Sequence, residues 1–348
     1  MPFPYIGGGS ERRRTADIIR GAEIKMPKSG RREFLRSGWL SLAGLGVLGR
    51  AESSGRAAPE TAALPAHESP PPFKLGMVTY ELAKDWDIET IIKNCEATGF
   101  EGVELRTTHR HGVEPSISKE RRAEVRKRFE DSRVRLVSLG STCEYEAPDL
   151  AVVEQNVEET RRFCELAHDL GCMGVKVRPN GFPPNSDHEK VLEQIGRALA
   201  RCGDAASDLG IEIWLEVHGP ETQVPANIRR IMDVSNHPSV GICWNSNDTD
   251  VVDGQVKPSF DLLKSWLRSC HINELWRTLS PWGSVPGRPP EHGTPGFPDY
   301  GRPYPWRELF TLFRSVGYNR YTFAEIPASP EPIRLMRYYR ALWEYHAA

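Results

Sequence analysis

The chain has 348 residues, 39% hydrophobic and 26% charged, enough for one large soluble domain or two small ones. That balance excludes collagen, coiled coil and wholesale disorder. Lysine and arginine total 45 against 47 acids, yet the first 56 residues hold 11 bases and only 5 acids, leaving 34 against 42 and a net charge of −8 for the remainder. An acidic body lacks the basic stripe that a phosphate backbone requires, which argues against nucleic acid as a partner.

Residues 30–36 read Gly-Arg-Arg-Glu-Phe-Leu-Arg and are followed by an uncharged, mildly apolar run over 37–49. This is the pattern of a twin-arginine export signal. The run has about 13 residues where roughly 20 are needed to span a bilayer, so no permanent membrane anchor is expected. Small residues near Arg50 and Arg56 offer cleavage sites, and Met26 is an alternative start to Met1. The expected organisation is an export leader over 1–56, an Ala- and Pro-rich disordered linker over 57–72, and one domain over 73–348. The expected partner of the leader is the twin-arginine export machinery, and the expected location is periplasmic or extracellular.

From residue 73 onward, short apolar runs alternate with longer amphipathic stretches. The spacing predicts strands at 74–80, 102–107, 134–140, 174–179, 211–217, 240–245, 269–275 and 321–326. Helices are predicted over 87–98, 118–132, 150–170, 188–209, 306–316 and 332–345, among others. Gly99, Gly171, Gly210 and Gly317 would supply left-handed caps before the next strands. Strict alternation implies parallel strands with right-handed crossovers, and eight units in one domain fit a closed (β/α)8 TIM barrel. An open doubly wound sheet would want a glycine-rich turn after its first strand, where Thr79-Tyr80-Glu81-Leu82 stands instead. The seven cysteines are odd in number, never spaced C-x-x-C and set in apolar runs, so they read as buried free thiols.

In a barrel the carboxyl ends of the strands share one mouth, so polar residues that interrupt an apolar strand near its end carry the most weight. The fifth strand ends with Glu216 and His218, a two-residue step that keeps both on one face. The sixth ends with Asn245, Asn247 and Asp248, the seventh carries His271, Asn273 and Glu274, and the eighth ends in Glu325. Glu216, Asn245, His271 and Glu325 together offer two carboxylates, an amide oxygen and an imidazole. Such a set suits one divalent metal ion, Mn or Mg first, with Co, Zn or Fe as further choices. The alternative is that Glu216 and Glu325 are salt-bridged to Arg178 or Arg277 and that His271 is a hydrogen-bonded core residue. His218, Asn247 and Asp248 are candidates for substrate contact. Trp244, Trp276, Trp282 and Trp306 lie near the predicted mouth loops, where an indole could stack on a sugar.

The LEVHG stretch at Glu216, His271 followed six residues later by Arg277, the segment from Gly301 to Trp306 and AEIP at Glu325 resemble the xylose isomerase-like superfamily of sugar phosphate isomerases and epimerases. The resemblance spans residues 73–348. It implies that Glu216, Asn245, His271 and Glu325 hold one metal ion, that the two glutamates form the catalytic acid–base pair, and that Arg277 holds a substrate hydroxyl. Where the family has Asp followed three residues later by His, this chain has Asn245 and Asp248. The site is thereby about one charge less negative unless Asp248 swings in.

What the resemblance implies chemically is an isomerase or epimerase working through an enediolate. An exported protein meets few phosphorylated sugars, and no phosphate-gripping glycine loop is present, so a free sugar or keto-sugar is the expected substrate. The same chemistry could eliminate a group β to a carbonyl, which would make the protein a lyase on oxidised glycosides. A non-catalytic sugar-binding protein and a metal-dependent endonuclease of the same barrel are the readings from other classes. The −8 charge and the export signal argue against the second. Pairing into a homo-oligomer through the barrel helices is compatible with the sequence, which marks no interface.

Overall fold

The computed structural model describes residues 71–273, 275 and 304–348. The leader with its arginine pair, most of the linker, and residues 274 and 276–303 lie outside the described residues. Eight strands, β1 (Lys74–Val78), β2 (Gly102–Arg106), β3 (Arg135–Gly140), β4 (Gly174–Val177), β5 (Glu212–Glu216), β6 (Val240–Asn245), β7 (Leu267–Ile272) and β8 (Tyr321–Ala324), pair in chain order, and β8 closes on β1. Every pairing is parallel. The helices are α1 (Ile88–Thr98), α2 (Lys119–Glu130), α3 (Leu150–Leu170), α4 (His188–Ser207), α5 (Pro225–Ser235), α6 (Lys257–Leu263), α7 (Trp306–Ser315) and α8 (Pro332–Ala347). The result is the (β/α)8 barrel that the alternation predicts.

Local chemistry sets the helix ends. Asp87, Ser118, Asp149 and Asp187 each accept a hydrogen bond from a first-turn N–H, satisfying a donor that the helix itself leaves unpaired. At the other end Gly99 and Gly171 turn the chain at φ of 76° and 73°, where a Cβ would be strained. Gly210 and Gly317 take the same left-handed conformation just beyond α4 and α7.

Apolar faces of the helices pack on the outside of the sheet, while Val78, Val137, Trp214, Cys243, Tyr321 and Phe323 form a separate buried cluster. Their places on the strands put them inside the barrel. Glycine makes room for the largest of them. A Cβ at Gly174 would stand 2.5 Å from the Trp214 ring, and one at Gly76 would stand 2.7 Å from Phe323. One inward-facing step toward the carboxyl ends, the chemistry changes: Trp214 is followed by Glu216, Cys243 by Asn245 and Phe323 by Glu325. The barrel is thus plugged by apolar side chains below and polar above. The register shifts by one residue between Val103 and Glu104 and between Ile242 and Cys243, leaving the extra residues Val137 on β3 and Arg268 on β7 as local bulges.

All seven cysteines are free and buried. Among the described residues no helix is long and apolar enough to cross a membrane.

Candidate metal centre and active site

The mouth holds a cavity of about 440 Å³ whose lining includes Lys176 from β4, Glu216 from β5, Asn245 from β6, His271 from β7 and Glu325 after β8. Parallel pairing brings these together, since Asn245 stands directly opposite His271, and Glu325 N donates to Ile272 O at 2.8 Å. Glu216 is the hub. Its Oε2 accepts from Lys176 Nζ at 2.8 Å, and its Oε1 lies 3.3 Å from the donating Asn245 Nδ2 and 3.2 Å from His271 Nδ1. Glu325 Oε1 lies 3.5 Å from the same His271 nitrogen. On the far side of the imidazole, Nε2 is 3.0 Å from Glu104 Oε1, and Glu104 Oε2 accepts from Ser138 Oγ at 2.8 Å. An Nε2 proton given to Glu104 leaves Nδ1 as the nitrogen that faces the two glutamates.

The electrostatics follow from this packing. Burial pushes the Glu216 carboxyl up, but the Lys176 ammonium and the His271 imidazole overcome it and hold the group well below the usual carboxylate range. Burial also pushes Glu325 up, and with Glu216 as a like-charged neighbour it ends above its ordinary value. His271 is raised well above the usual imidazole value, because Cys243 and Glu104 outweigh a burial effect that acts downward. Lys176 is raised too, its burial offset by Glu216 and Glu104, so it is a cation at neutral pH. Two neighbouring carboxyls pushed in opposite directions are a recurrent property of acid–base sites.

The donor chemistry fits a divalent ion. One ligand atom each from Glu216, His271 and Glu325 lies within 4.8 Å of the others. Asn245 stands next to them with Nδ2 toward Glu216 Oε1 and Oδ1 accepting from Asn273 Nδ2 at 3.4 Å, so its amide would have to turn over to offer the ion an oxygen. Oxygen-rich donors with one imidazole suit ions of the Mn and Mg kind and also tolerate Zn. Lys176 shares the same carboxylate, which adds a positive charge beside the donor set.

Other residues singled out from the sequence fall in different places. His218 lines the cavity, and its Nδ1 is buried without a partner. Asn247 also lines it, with Nδ2 donating to Val217 O at 2.7 Å. Asp248 opens a short 3-10 turn over Asp248–Asp250 and is not part of the cavity lining, so it does not stand in for the missing carboxylate. The expectation for Trp306 is corrected. It is the first residue of α7, 2% exposed, packed against Tyr304 and Phe310 in the core and absent from the cavity wall. Its ring joins the main apolar core with Leu309, Phe310 and Phe313 of its own helix. Trp244 is likewise buried, donating from Nε1 to Tyr304 Oη at 3.2 Å. Arg277, Glu274, Trp276, Trp282 and Gly301 lie outside the described residues. Arg178 pairs with Glu144, so it is not the cation that meets Glu216 or Glu325.

Two functional side chains escape the sequence reading. Glu104 and Lys176 stand in the middle of apolar runs, GVELR and GVKV, where attention to strand ends passes over them. The available signal is phase: each is flanked two residues before by an inward glycine and two residues after by an arginine that lines the mouth.

The sequence pattern of the xylose isomerase-like TIM barrel family matches residues 92–342. The chain belongs to that family. Among solved structures, D-psicose 3-epimerase from Clostridium cellulolyticum, crystallised with D-tagatose, is 15% identical and superposes with a TM-score of 0.63 over 79% of this chain and 99% of that one. A 3-keto-D-glucoside 4-epimerase from E. coli is 14% identical, with a TM-score of 0.60 over 78% and 99%. The IOLI protein, with a zinc atom bound, is 17% identical, with a TM-score of 0.59 over 78% and 96%. At these identities the likeness is one of fold. No curated protein matches the sequence.

Proposed function

We propose that the protein is a sugar isomerase or epimerase that moves a proton on a free sugar or keto-sugar. The observation that carries this reading is the convergence of Glu216 and Glu325, from β5 and β8, on one imidazole at the floor of one cavity. Glu216, Asn245, His271 and Glu325 would hold a divalent ion, which supplies Lewis acidity toward a carbonyl and the hydroxyl beside it. One glutamate takes a proton from the carbon next to the carbonyl, and the other returns one. Return to the opposite face gives an epimer, and return to the adjacent carbon gives an isomer. Positioned acid–base groups of this kind contribute about 10² to 10⁴-fold in rate. His218 and Asn247 line the wall beside Glu216, which supports a role for them in meeting sugar hydroxyls. The twin-arginine pattern in residues 30–49 supports an exported enzyme and so an unphosphorylated substrate.

The test is deuterium uptake. Incubated in D₂O with Mn²⁺ and a panel of ketoses, aldoses and keto-glycosides, the wild-type protein is expected to place deuterium at a carbon adjacent to the carbonyl of one of them. Glu216→Gln and Glu325→Gln each lower that rate by about 10²-fold or more. Sugar binding without any exchange would instead make the protein a binding module built on an enzyme scaffold.

A further inference from the structure

Lys176 faces into the barrel, 5% exposed, and its Nζ is 2.8 Å from Glu216 Oε2. The other Glu216 oxygen meets Asn245 Nδ2 and His271 Nδ1. Each oxygen of this carboxylate therefore already has a partner from the protein. Among the described residues Lys176 is the lysine or arginine ion-paired to Glu216, because Arg178 is taken by Glu144. A second, independent feature acts in the same direction: Asn245 offers an amide where a carboxylate would add a negative charge.

We propose that Lys176 is a resident cation that competes with the metal for Glu216 and sets a weak, exchangeable affinity for divalent ions. The inference rests on the metal-centre reading above. An ammonium is a compact charge on a flexible stem, strong enough to neutralise a buried carboxylate yet unable to draw the remaining donors together as a dication does. It keeps Glu216 from being an uncompensated charge when no ion is bound, a situation that is otherwise strongly destabilising. A dication sharing Glu216 does so against this fixed like charge, in an interior where charges are poorly screened. Removing the lysine charge therefore tightens metal binding, the opposite of what loss of a supporting contact does.

The experiment is calorimetric titration of the chelator-stripped full chain with Mn²⁺ alone, comparing wild type, Lys176→Met, Lys176→Gln and Glu216→Gln. The glutamine variant keeps a hydrogen-bond donor for Glu216 and guards against loss of fold in the methionine variant, which circular dichroism checks. Lys176→Met and Lys176→Gln are expected to bind Mn²⁺ about tenfold tighter or more, and Glu216→Gln to bind it more weakly. Affinities equal to or below wild type in both folded lysine variants overturn the inference while leaving the metal centre standing. Failure of every protein, wild type included, to bind Mn²⁺ overturns both.

Discussion

Glu104 is not itself part of the cavity lining, yet by holding Nε2 of His271 it leaves Nδ1 as the nitrogen that faces the glutamates. It is fully buried and meets only the imidazole and Ser138 through its carboxylate. Glu104→Gln keeps the shape but replaces an acceptor by an amide that must choose between its two partners. Because outer partners of metal-ligating histidines contribute about 10- to 100-fold in metal affinity, the variant is expected to weaken Mn²⁺ binding by that factor with its far-ultraviolet spectrum unchanged. Glu216, Asn245, His271, His218 and Glu325 were legible because each ends or follows a strand, where a polar side chain has no core to join. Glu104 and Lys176 were not, because a charge in mid-strand is recognisable only once the partner across the barrel is known. Trp306 misled for a related reason: an indole near a mouth loop reads the same whether it stacks on a sugar or on Phe310.

At the scale of elements, the eight strands were legible from apolar runs bounded by glycine and charge: β6 matches at both ends, and no other end is displaced by more than three residues. Helix α3 matches its expected span, since Asp149 and Gly171 punctuate both ends. Helices α5 and α6 were not singled out: each opens with a proline near its start and no side-chain cap, and α6 has only 7 residues. Fit inside the barrel is equally specific. Gly174→Ala drives a methyl into the Trp214 ring and, with nowhere for that ring to go, is expected to destabilise by about 1–3 kcal/mol in urea unfolding. The turn after β6 holds a buried acid. Asp250 Oδ2 accepts from Asn247 N at 2.8 Å and Tyr304 Oη at 3.0 Å, while Oδ1 has no partner, and burial raises the carboxyl well above its ordinary value. A folded-state value above the unfolded one means stability that is full at pH below about 4 and is lost as pH rises through the folded value. Asp250→Asn retains both hydrogen bonds without the charge. Its unfolding free energy is expected to be flatter with pH than that of wild type and higher by on the order of 1 kcal/mol at pH 8.

For the whole molecule, the barrel concentrates charge where the chemistry is. Two buried carboxylates, Glu104 and Glu216, and the half-buried Glu325 cluster around Lys176 and His271 at the floor of the mouth. The closed sheet completes this arrangement: Lys176, Glu216, His271 and Glu325 come from the successive run β4 to β8, and Glu104 on β2 reaches His271 because β8 pairs with β1. An ion that joins this cluster binds the folded state alone and so raises its stability by mass action. Excess Mn²⁺ is accordingly expected to raise the melting temperature of wild type and to leave that of Glu325→Gln nearly unchanged. The most direct test of the metal centre is equilibrium dialysis of the full chain against millimolar Mn²⁺, followed by elemental analysis, for wild type, Glu216→Gln and Glu325→Gln. The account predicts about one ion per chain in wild type and a clear loss in both variants. No bound ion in wild type, or full occupancy in both variants, would contradict it.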